Sequence, residues 1–252
     1  MRLLHRLPAE DQARLRPHLQ PTEMGYRQSL YCANQPIETA YFPESGVASM
    51  VCTMENGQAV EVGTIGNEGV VGLPALFGDT TPPHAVYVQV PGYGLQMAMS
   101  ILRHEFDRSD SLRNMILLYA RSMFNQLAQS AACSHFHDVE QRACRWLLMT
   151  HDRMLSDEFL LTHEFFAMML GVRRQGVSKV AGLLQEAGLI RYHRGTITIL
   201  DRCELEKRAC ECYAVSRRDF NELLGTEEVR ITATGRSGGA LSSLPKWSSV
   251  GQ

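Results

Sequence analysis

The chain has 252 residues, enough for two ordinary domains that each bury a core. Its 44% apolar and 21% charged residues are typical of a folded protein and exclude a disordered or fibrous one. No run approaches the roughly 20 apolar residues that a membrane span needs, and the start lacks the apolar core of an export signal. We therefore expect a cytoplasmic protein with no membrane partner.

The cysteines and the uneven charge restrict the chemistry further. Seven cysteines, an odd number, in a chain without an export signal predict reduced thiols rather than a disulfide framework. Residues 21–90 contain seven acids and one base, whereas residues 171–195 contain five bases and one acid. Such asymmetry predicts one region that contacts a polyanion and another that does not.

A short helix over residues 8–19 and a β-rich region over residues 24–99 form the first part of the chain. Pro8, two acids in the first turn, and Leu15 and Leu19 four residues apart predict the helix. In the β-rich region, Asn56-Gly57 between two alternating runs predicts a hairpin. Many short strands at a spacing of about ten residues predict an antiparallel barrel or jelly roll.

One long helix with two apolar seams is predicted over residues 111–134. The first seam contains Leu112, Ile116, Tyr119 and Met123, and the second contains Leu117, Ala120, Phe124, Leu127 and Ala131. Two seams require two partners, so one covers the barrel and the other pairs with the same helix of a second chain. We assign the homodimer contact to the first seam. The alternative is a helix buried within one large monomer.

A helix-turn-helix is predicted after a further helix that begins at Asp138, an N-cap with Gln141 in the capping-box position. Thr162 is a candidate N-cap of a short helix that Gly171 terminates. A second helix is predicted from Arg173 to Glu186, and its apolar positions are Val177, Val180, Ala181 and Leu184. The polar residues of its first two turns, which in this motif enter the major groove, are Arg174, Gln175, Ser178 and Lys179.

A basic β-hairpin follows the second helix and resembles a wing. Gly188 ends the helix, and RYHRGTITIL predicts two strands that turn near Arg194-Gly195. Arg and Lys suit the O6 and N7 acceptors of guanine and Gln suits adenine, so the four polar residues of the second helix are assigned to base reading. The residues assigned to the DNA backbone are Thr162, Arg173, Arg191, His193 and Arg194. The order of helix, turn, basic helix and basic hairpin favours duplex DNA over an ordinary solvated face.

Three stretches of sequence indicate a family. They are LTHEFFAMMLGVRRQGVSKVAGLLQEAGLI in the helix-turn-helix, and YFPESG and GNEGVVGLPALFG in the β region. In these stretches the chain resembles the Crp/Fnr family of bacterial regulators, over residues 1 to about 225. The resemblance implies an α+β fold: an N-terminal antiparallel jelly-roll barrel of the cyclic nucleotide-binding type, a long dimerisation helix and a C-terminal winged helix-turn-helix. The expected boundaries are 1–107, 108–136 and 137–225, and composition predicts a disordered tail over 226–252.

The ligand anchors of the family's nucleotide-binding members are missing. Those members hold the ribose with a Gly-Glu pair and the phosphate with Arg-Ser-Ala. This chain has Gly72-Leu73-Pro74 and Pro83-His84-Ala85 instead. Because the region is also acidic, we predict no cofactor, and cyclic AMP is not expected to bind in the usual mode. The effector is unknown.

No metal site is predicted from the cysteines and histidines. Cys32 and Cys52 are too few for an iron-sulfur cluster, and no spacing supports a haem held by His5 or His104. A metal or redox role stays open for three cysteines after the wing, but core packing with one exposed thiol is favoured. These three are Cys203, Cys210 and Cys212.

These features predict a homodimeric, sequence-specific transcription regulator that reads a two-fold operator in double-stranded DNA through the helix 173–186. In cyclic-AMP-responsive members this helix has Arg-Glu and a second Arg, where this chain has Arg174, Gln175 and Lys179, so the operator need not match theirs. RNA polymerase is a further candidate partner. The alternative is a signalling module whose winged helix contacts protein. The sequence shows no nucleophile with a base and no phosphate loop, so an enzyme is not expected.

Overall fold

The computed structural model describes residues 2–225, and the tail predicted for 226–252 lies outside the described residues. Along the chain, a two-sheet β domain is followed by a long helix and then by a helix-turn-helix with a β-hairpin wing. The observed α+β architecture is the predicted one.

Within the described residues the β domain consists of seven strands in two antiparallel sheets. The strand orders are β1-β7-β3 and β2-β6-β4-β5. The strands are β1 (Gln20–Met24), β2 (Ser29–Tyr31), β3 (Thr39–Pro43), β4 (Val47–Thr53), β5 (Ala59–Ile65), β6 (Ala85–Val90) and β7 (Gly92–Ala98). The helices of this part are α1 (Arg2–His5), α2 (Ala9–Leu15), a 3-10 turn (Arg16–His18) and, between β5 and β6, α3 (Leu73–Leu76).

The hairpin between β4 and β5 turns at Asn56-Gly57, as predicted. Gly57 has a φ of 81°, in the left-handed region that glycine adopts without a Cβ clash. Apolar side chains of both sheets point into one core, in which Phe42, Val86 and Val88 are fully buried. The β domain therefore provides a rigid body against which helices can pack.

Helix α4 (Met99–Arg108) leads into the long helix α5 (Asp110–Phe136). The side chain of Ser109 accepts a hydrogen bond from the backbone N–H of Leu112 and so caps α5. The helix extends slightly beyond both ends of the predicted range 111–134.

The assignment of the first seam of α5 to the dimer contact is wrong. Leu112, Ile116, Tyr119 and Met123 are all buried in the core of their own β domain. By contrast, Leu117 is 47% exposed and Phe124 is 70% exposed, so this part of the second seam faces away from the domain, whereas Leu127 is partly buried against it. Both seams are apolar. The barrel buries the first seam, whose four side chains are all large, whereas the second seam contains two alanines.

Helix α5 crosses β5 at short range. Gly63 on β5 leaves room for it, because a Cβ there would lie 3.0 Å from the Leu127 side chain. The side-chain oxygen of Gln126 accepts a hydrogen bond of 2.9 Å from the backbone N–H of Thr64, a group that points away from β4. The long helix is thus bonded to the backbone of the sheet as well as packed on it.

The second half of the chain contains three further strands and five helices within the described residues. They are α6 (Val139–His151), β8 (Glu158–Leu160), α7 (His163–Leu170), α8 (Arg174–Glu186), β9 (Ile190–His193), β10 (Thr196–Ile199), α9 (Arg202–Arg208) and α10 (Glu211–Leu224). Asp138 and Gln141 form the predicted capping box at the start of α6. The strands form a small antiparallel sheet of order β8-β10-β9.

The helix-turn-helix packs against the β domain of its own chain. Val47 and Val90 from the β strands are buried in the core of the second half. The rings of Tyr26 and Phe165 lie 5.4 Å apart between centroids, and an exposed ion pair of 3.2 Å joins Arg27 to Glu164. Apolar burial therefore contributes to the relative placement of the two halves.

A partly buried carboxyl group lies at this interface. Glu61 on β5 accepts hydrogen bonds from Ser49 and from the indole N–H of Trp146 on α6, the latter at 2.9 Å. Burial raises the pKa of Glu61 from its ordinary value of 4.5 to about 7, although these hydrogen bonds and the charges of Arg145 and Arg153 act in the opposite direction.

A buried ion pair joins the same two halves. Arg153, just after α6, donates from Nη2 to Oε1 of Glu68 at 2.7 Å and from Nη1 to the carbonyl of Met149 at 2.7 Å. The side chains of Arg153 and Glu68 are only 5% and 4% exposed. The guanidinium also lies 5.2 Å from the ring centroid of Phe220 on α10.

None of the helices in the described part of the chain has the length and apolar character that a membrane crossing requires.

We expect Glu68→Gln to lower the free energy of unfolding by about 3 to 5 kcal/mol, because it leaves the Arg153 guanidinium buried without a counter-charge. Urea unfolding followed by circular dichroism measures this. The matched control is Glu164→Gln, which breaks an ion pair whose side chains are 53% and 80% exposed and should cost less than about 1 kcal/mol. Equal small effects for both variants would show that the buried pair does not stabilise the fold.

Glu61 makes the free energy of unfolding depend on pH. The raised pKa means that the folded protein binds more protons than the unfolded one between about pH 4.5 and 7, so its stability falls as the pH rises through this range. Glu61→Gln cannot titrate and should lack this fall, which is on the order of 3 kcal/mol. Unfolding curves from pH 5 to 8 measure it. Glu55→Gln, in the exposed hairpin turn, should keep the wild-type slope. A wild-type slope in Glu61→Gln would contradict the assignment.

Candidate nucleic-acid interface

The first helix of the helix-turn-helix, α7, has both predicted caps. The Thr162 hydroxyl accepts a hydrogen bond from the backbone N–H of Phe165. Gly171 ends the helix with a φ of 59°, and the N–H groups of Gly171 and Val172 bond to the carbonyls of Met168 and Ala167. This left-handed residue reverses the chain sharply enough for α8 to cross α7.

The second helix, α8, separates its apolar and polar residues onto opposite faces. Its buried positions are those predicted, Val177, Val180, Ala181 and Leu184. Arg174, Gln175, Ser178 and Lys179 are all exposed in the first two turns. The helix starts one residue later than predicted, because Arg173 has an extended backbone and occupies the N-cap position.

His163 connects α7, α8 and the wing, and sequence reasoning missed it. Its Nδ1 lies 3.2 Å from the Ser178 hydroxyl, and its ring stacks on Tyr192 at 4.5 Å between centroids. Burial lowers the pKa of His163, and the neighbouring Arg174 charge lowers it further, so the ring stays neutral at pH 7. No periodicity marks this contact, because it joins the polar faces of three separate elements.

The wing is a two-stranded hairpin held close to α8. Arg194 and Gly195 form its turn with φ values of 49° and 82°. The side-chain oxygen of Gln185 on α8 accepts a 2.7 Å hydrogen bond from the backbone N–H of Tyr192, and the Tyr192 hydroxyl donates to the carbonyl of Leu161. These bonds, which the sequence does not reveal, fix the wing beside the recognition helix.

The predicted backbone-contacting residues surround this helix. Arg173, Arg191, His193 and Arg194 are exposed. Thr162 is half-buried, and its hydroxyl also lies 3.4 Å from that of Tyr26, so it acts as a cap and a domain contact.

The first two turns of α8 and the wing carry only basic charged residues. Within the described residues, none of the basic side chains on this surface forms an ion pair. These side chains are Arg173, Arg174, Lys179, Arg191 and Arg194. A set of unneutralised bases around a protruding helix attracts phosphate and raises association rates with polyanions. The geometry is that of a helix that can enter the major groove beside a wing that can reach the backbone.

Leu73, Pro74, Pro83 and His84 occupy the positions where the sequence departs from the nucleotide-binding pattern. Gly72, with a φ of 106°, precedes the short helix α3, and Leu73 and Pro74 occupy its first turn. The His84 Nε2 lies 2.8 Å from the Tyr31 hydroxyl, and burial lowers the pKa of His84, which keeps the ring neutral.

Two family models match the chain. The model of the cyclic nucleotide-binding domain matches residues 25–109, and that of the Crp-like helix-turn-helix domain matches residues 141–208. No curated protein sequence matches significantly.

Solved structures of similar fold cover most of the chain. A transcriptional regulator of the Crp/Fnr family from Eubacterium rectale is 17% identical with a TM-score of 0.63, over 82% of this chain and 96% of that one. FixK2 from Bradyrhizobium japonicum is 13% identical with a TM-score of 0.65, over 76% and 98%. The c-di-GMP-responsive regulator CLP from Xanthomonas campestris is 19% identical with a TM-score of 0.60, over 77% and 100%. At such identities the likeness is one of fold.

The model of the cyclic nucleotide-binding domain comes first and that of the helix-turn-helix second, and together they span more than half of the chain. The long helix α5 occupies the interval between them. The chain belongs to the Crp/Fnr family of transcription regulators.

Proposed function

We propose that the protein is a homodimeric transcription regulator that reads a two-fold operator with α8 in the major groove. The observation that supports this best is the exposed polar face of α8, which lies at its N-terminal end and is flanked by unpaired bases. In a helix-turn-helix these first turns contact base edges.

The side chains of this face determine what can be read. Arg174 and Lys179 supply donors for the O6 and N7 of guanine, and Gln175 can pair with the N6 and N7 edge of adenine. The Ser178 hydroxyl also lies near His163 and the carbonyl of Arg174. To read a base, it has to give up these contacts and form a hydrogen bond with the base instead.

The wing and the start of α8 supply contacts that carry no sequence information. Arg173, Arg191, His193 and Arg194 are exposed around α8, and Thr162 caps the helix behind it. Phosphate contacts of this kind fix the register of the protein on the duplex.

The second seam of α5 is the proposed dimer contact. Leu117, Ala120, Phe124, Leu127 and Ala131 alternate at spacings of three and four, which is the spacing of a two-helix seam. Leu117 and Phe124 are strongly exposed in the single chain. Pairing them with the same residues of a second chain removes apolar surface from water and places two α8 helices on one duplex.

The proposal assigns no cyclic nucleotide to the β domain. Its support is the sequence of the two anchor positions, where Leu73 replaces an acid, Pro83 replaces the arginine, and the neutral His84, bonded to Tyr31, replaces the serine. A phosphate needs a cation or several aimed amides. The proposal includes a cytoplasmic location and RNA polymerase as a further partner of the DNA-bound dimer.

The test is selection of genomic fragments by the purified protein at physiological salt, with and without cyclic AMP. We expect a two-fold motif that is enriched equally in both. Arg174→Ala should bind this motif about 10- to 100-fold more weakly, with little change on random duplex, because a bidentate base contact is lost. Arg194→Ala is the control, and it should weaken both duplexes by a similar factor.

Equal losses on both duplexes for Arg174→Ala would show that α8 does not read bases. Failure to enrich any motif, by a folded dimer, would contradict DNA reading and favour a winged helix that contacts protein.

Phe124→Glu should convert the dimer to a monomer, because a charge at the centre of the seam cannot be desolvated against its copy. Sedimentation equilibrium should show the mass fall from twice the chain mass of 28.3 kDa to once, and operator affinity should fall with it. Met54→Glu is the control. Met54 is 53% exposed on the β4–β5 turn, far from the seam in sequence, and this variant should stay dimeric. A dimeric Phe124→Glu would exclude this seam.

A further inference from the structure

Three thiols and an imidazole converge where α5, α6 and α10 meet. Cys133 lies in the last turn of α5, and His137 follows the end of this helix. Cys210 is the N-cap of α10, and Cys212 lies in its first turn. The four ligand atoms of these residues all lie within 4.8 Å of one another. The three buried cysteines form a cluster of their own, separate from both hydrophobic cores.

The distances within the cluster are close to those of a tetrahedral metal site. The Sγ atoms of Cys133 and Cys210 are 3.5 Å apart, and the Sγ of Cys212 is 3.6 Å from Nδ1 of His137. With metal–sulfur bonds of about 2.3 Å, neighbouring ligands of a tetrahedral zinc ion lie about 3.8 Å apart. Small side-chain adjustments would therefore place one ion within bonding distance of all four atoms.

The surroundings orient these ligands. Nε2 of His137 lies 3.1 Å from a carboxylate oxygen of Glu211, which leaves Nδ1 directed at Cys212. Histidine ligands of metals are commonly fixed by such a carboxylate on the second ring nitrogen. The side-chain amide of Gln129 donates to the Sγ of Cys212 at 3.0 Å, a bond that favours a thiolate.

A buried cation is available to balance the charge. Arg145 is only 9% exposed, and its Nη2 donates to the hydroxyl of Ser130, one turn before Cys133. Its Nε has no hydrogen-bond partner among the described residues. Three thiolates, a neutral imidazole and Zn²⁺ together have a net charge of −1, which the guanidinium of Arg145 offsets.

We infer that Cys133, His137, Cys210 and Cys212 bind one Zn²⁺ ion in a closed structural site. A set of three thiolates and one imidazole without an open position is a structural zinc site rather than a catalytic one. The sequence left a metal role open for Cys210 and Cys212 and favoured core packing, and it did not connect them with Cys133 and His137. Cys133 and His137 are only four residues apart in the sequence, at the end of α5, which was the readable signal.

The ion would join three parts of the chain that are distant in sequence or lie on different helices. It fastens the end of the dimer helix and its connection to α6 onto the start of α10. This inference stands independently of the DNA sequence that α8 reads.

The full-length protein, purified without a metal-chelating tag, should contain one zinc ion per chain by plasma mass spectrometry. After the zinc is removed with EDTA and Co²⁺ is added, the absorption should saturate at one equivalent, with the intense bands of tetrahedral cobalt and a sulfur-to-cobalt charge-transfer band. Cys133→Ser should lose the stoichiometric zinc and the charge-transfer band. Cys203→Ser, an exposed cysteine on α9, should keep both.

If Cys133→Ser does not fold, the melting temperature of the wild-type protein still tests the inference. EDTA should lower the melting temperature of the wild type by several degrees, and added Zn²⁺ should restore it, since an ion that binds only the folded state stabilises it. Cobalt spectra without the charge-transfer band would overturn the inference. A Cys133–Cys210 disulfide without metal in the purified protein would overturn it too, and stoichiometric iron or copper would overturn the assignment to zinc.

Discussion

The buried ion pair between Arg153 and Glu68 is the interaction on which the arrangement of the two halves depends. Glu68 belongs to the turn after β5, Arg153 follows α6, and Phe220 of α10 lies against the guanidinium. Each charge is tolerated in the interior only in contact with the other, so these three elements have one acceptable relative position. With α6 fixed in this way, α7 rests on the β domain and α8 presents its basic face to solvent.

Most of the DNA-binding half could be predicted from sequence because its signals are local. The Asp138 and Gln141 capping box, the Thr162 cap and the Gly171 terminus each depend on residues within four positions of one another. The wing turn at Arg194-Gly195 is of the same kind. The α8 boundary differed by one residue because an N-cap is recognised by its backbone angles, which Arg173 does not reveal by its type.

The features that sequence reasoning did not find depend on contacts between distant positions. Both seams of α5 have helical spacing, and only the shape of the barrel decides which is buried. His163 contacts residues on two other elements, and Cys133 meets Cys210 across 77 positions. A one-dimensional pattern can show that a residue lies on a polar or apolar face, but not which other face it meets.

The hydrogen bond from Thr64 to Gln126 also protects the protein against misassembly. β5 is the last strand of its sheet, so its outward N–H and C=O groups could pair with a strand of another molecule. Helix α5 lies over this edge and takes up one of its donors. The covered part of the β5 edge is therefore closed to pairing with a strand of another molecule.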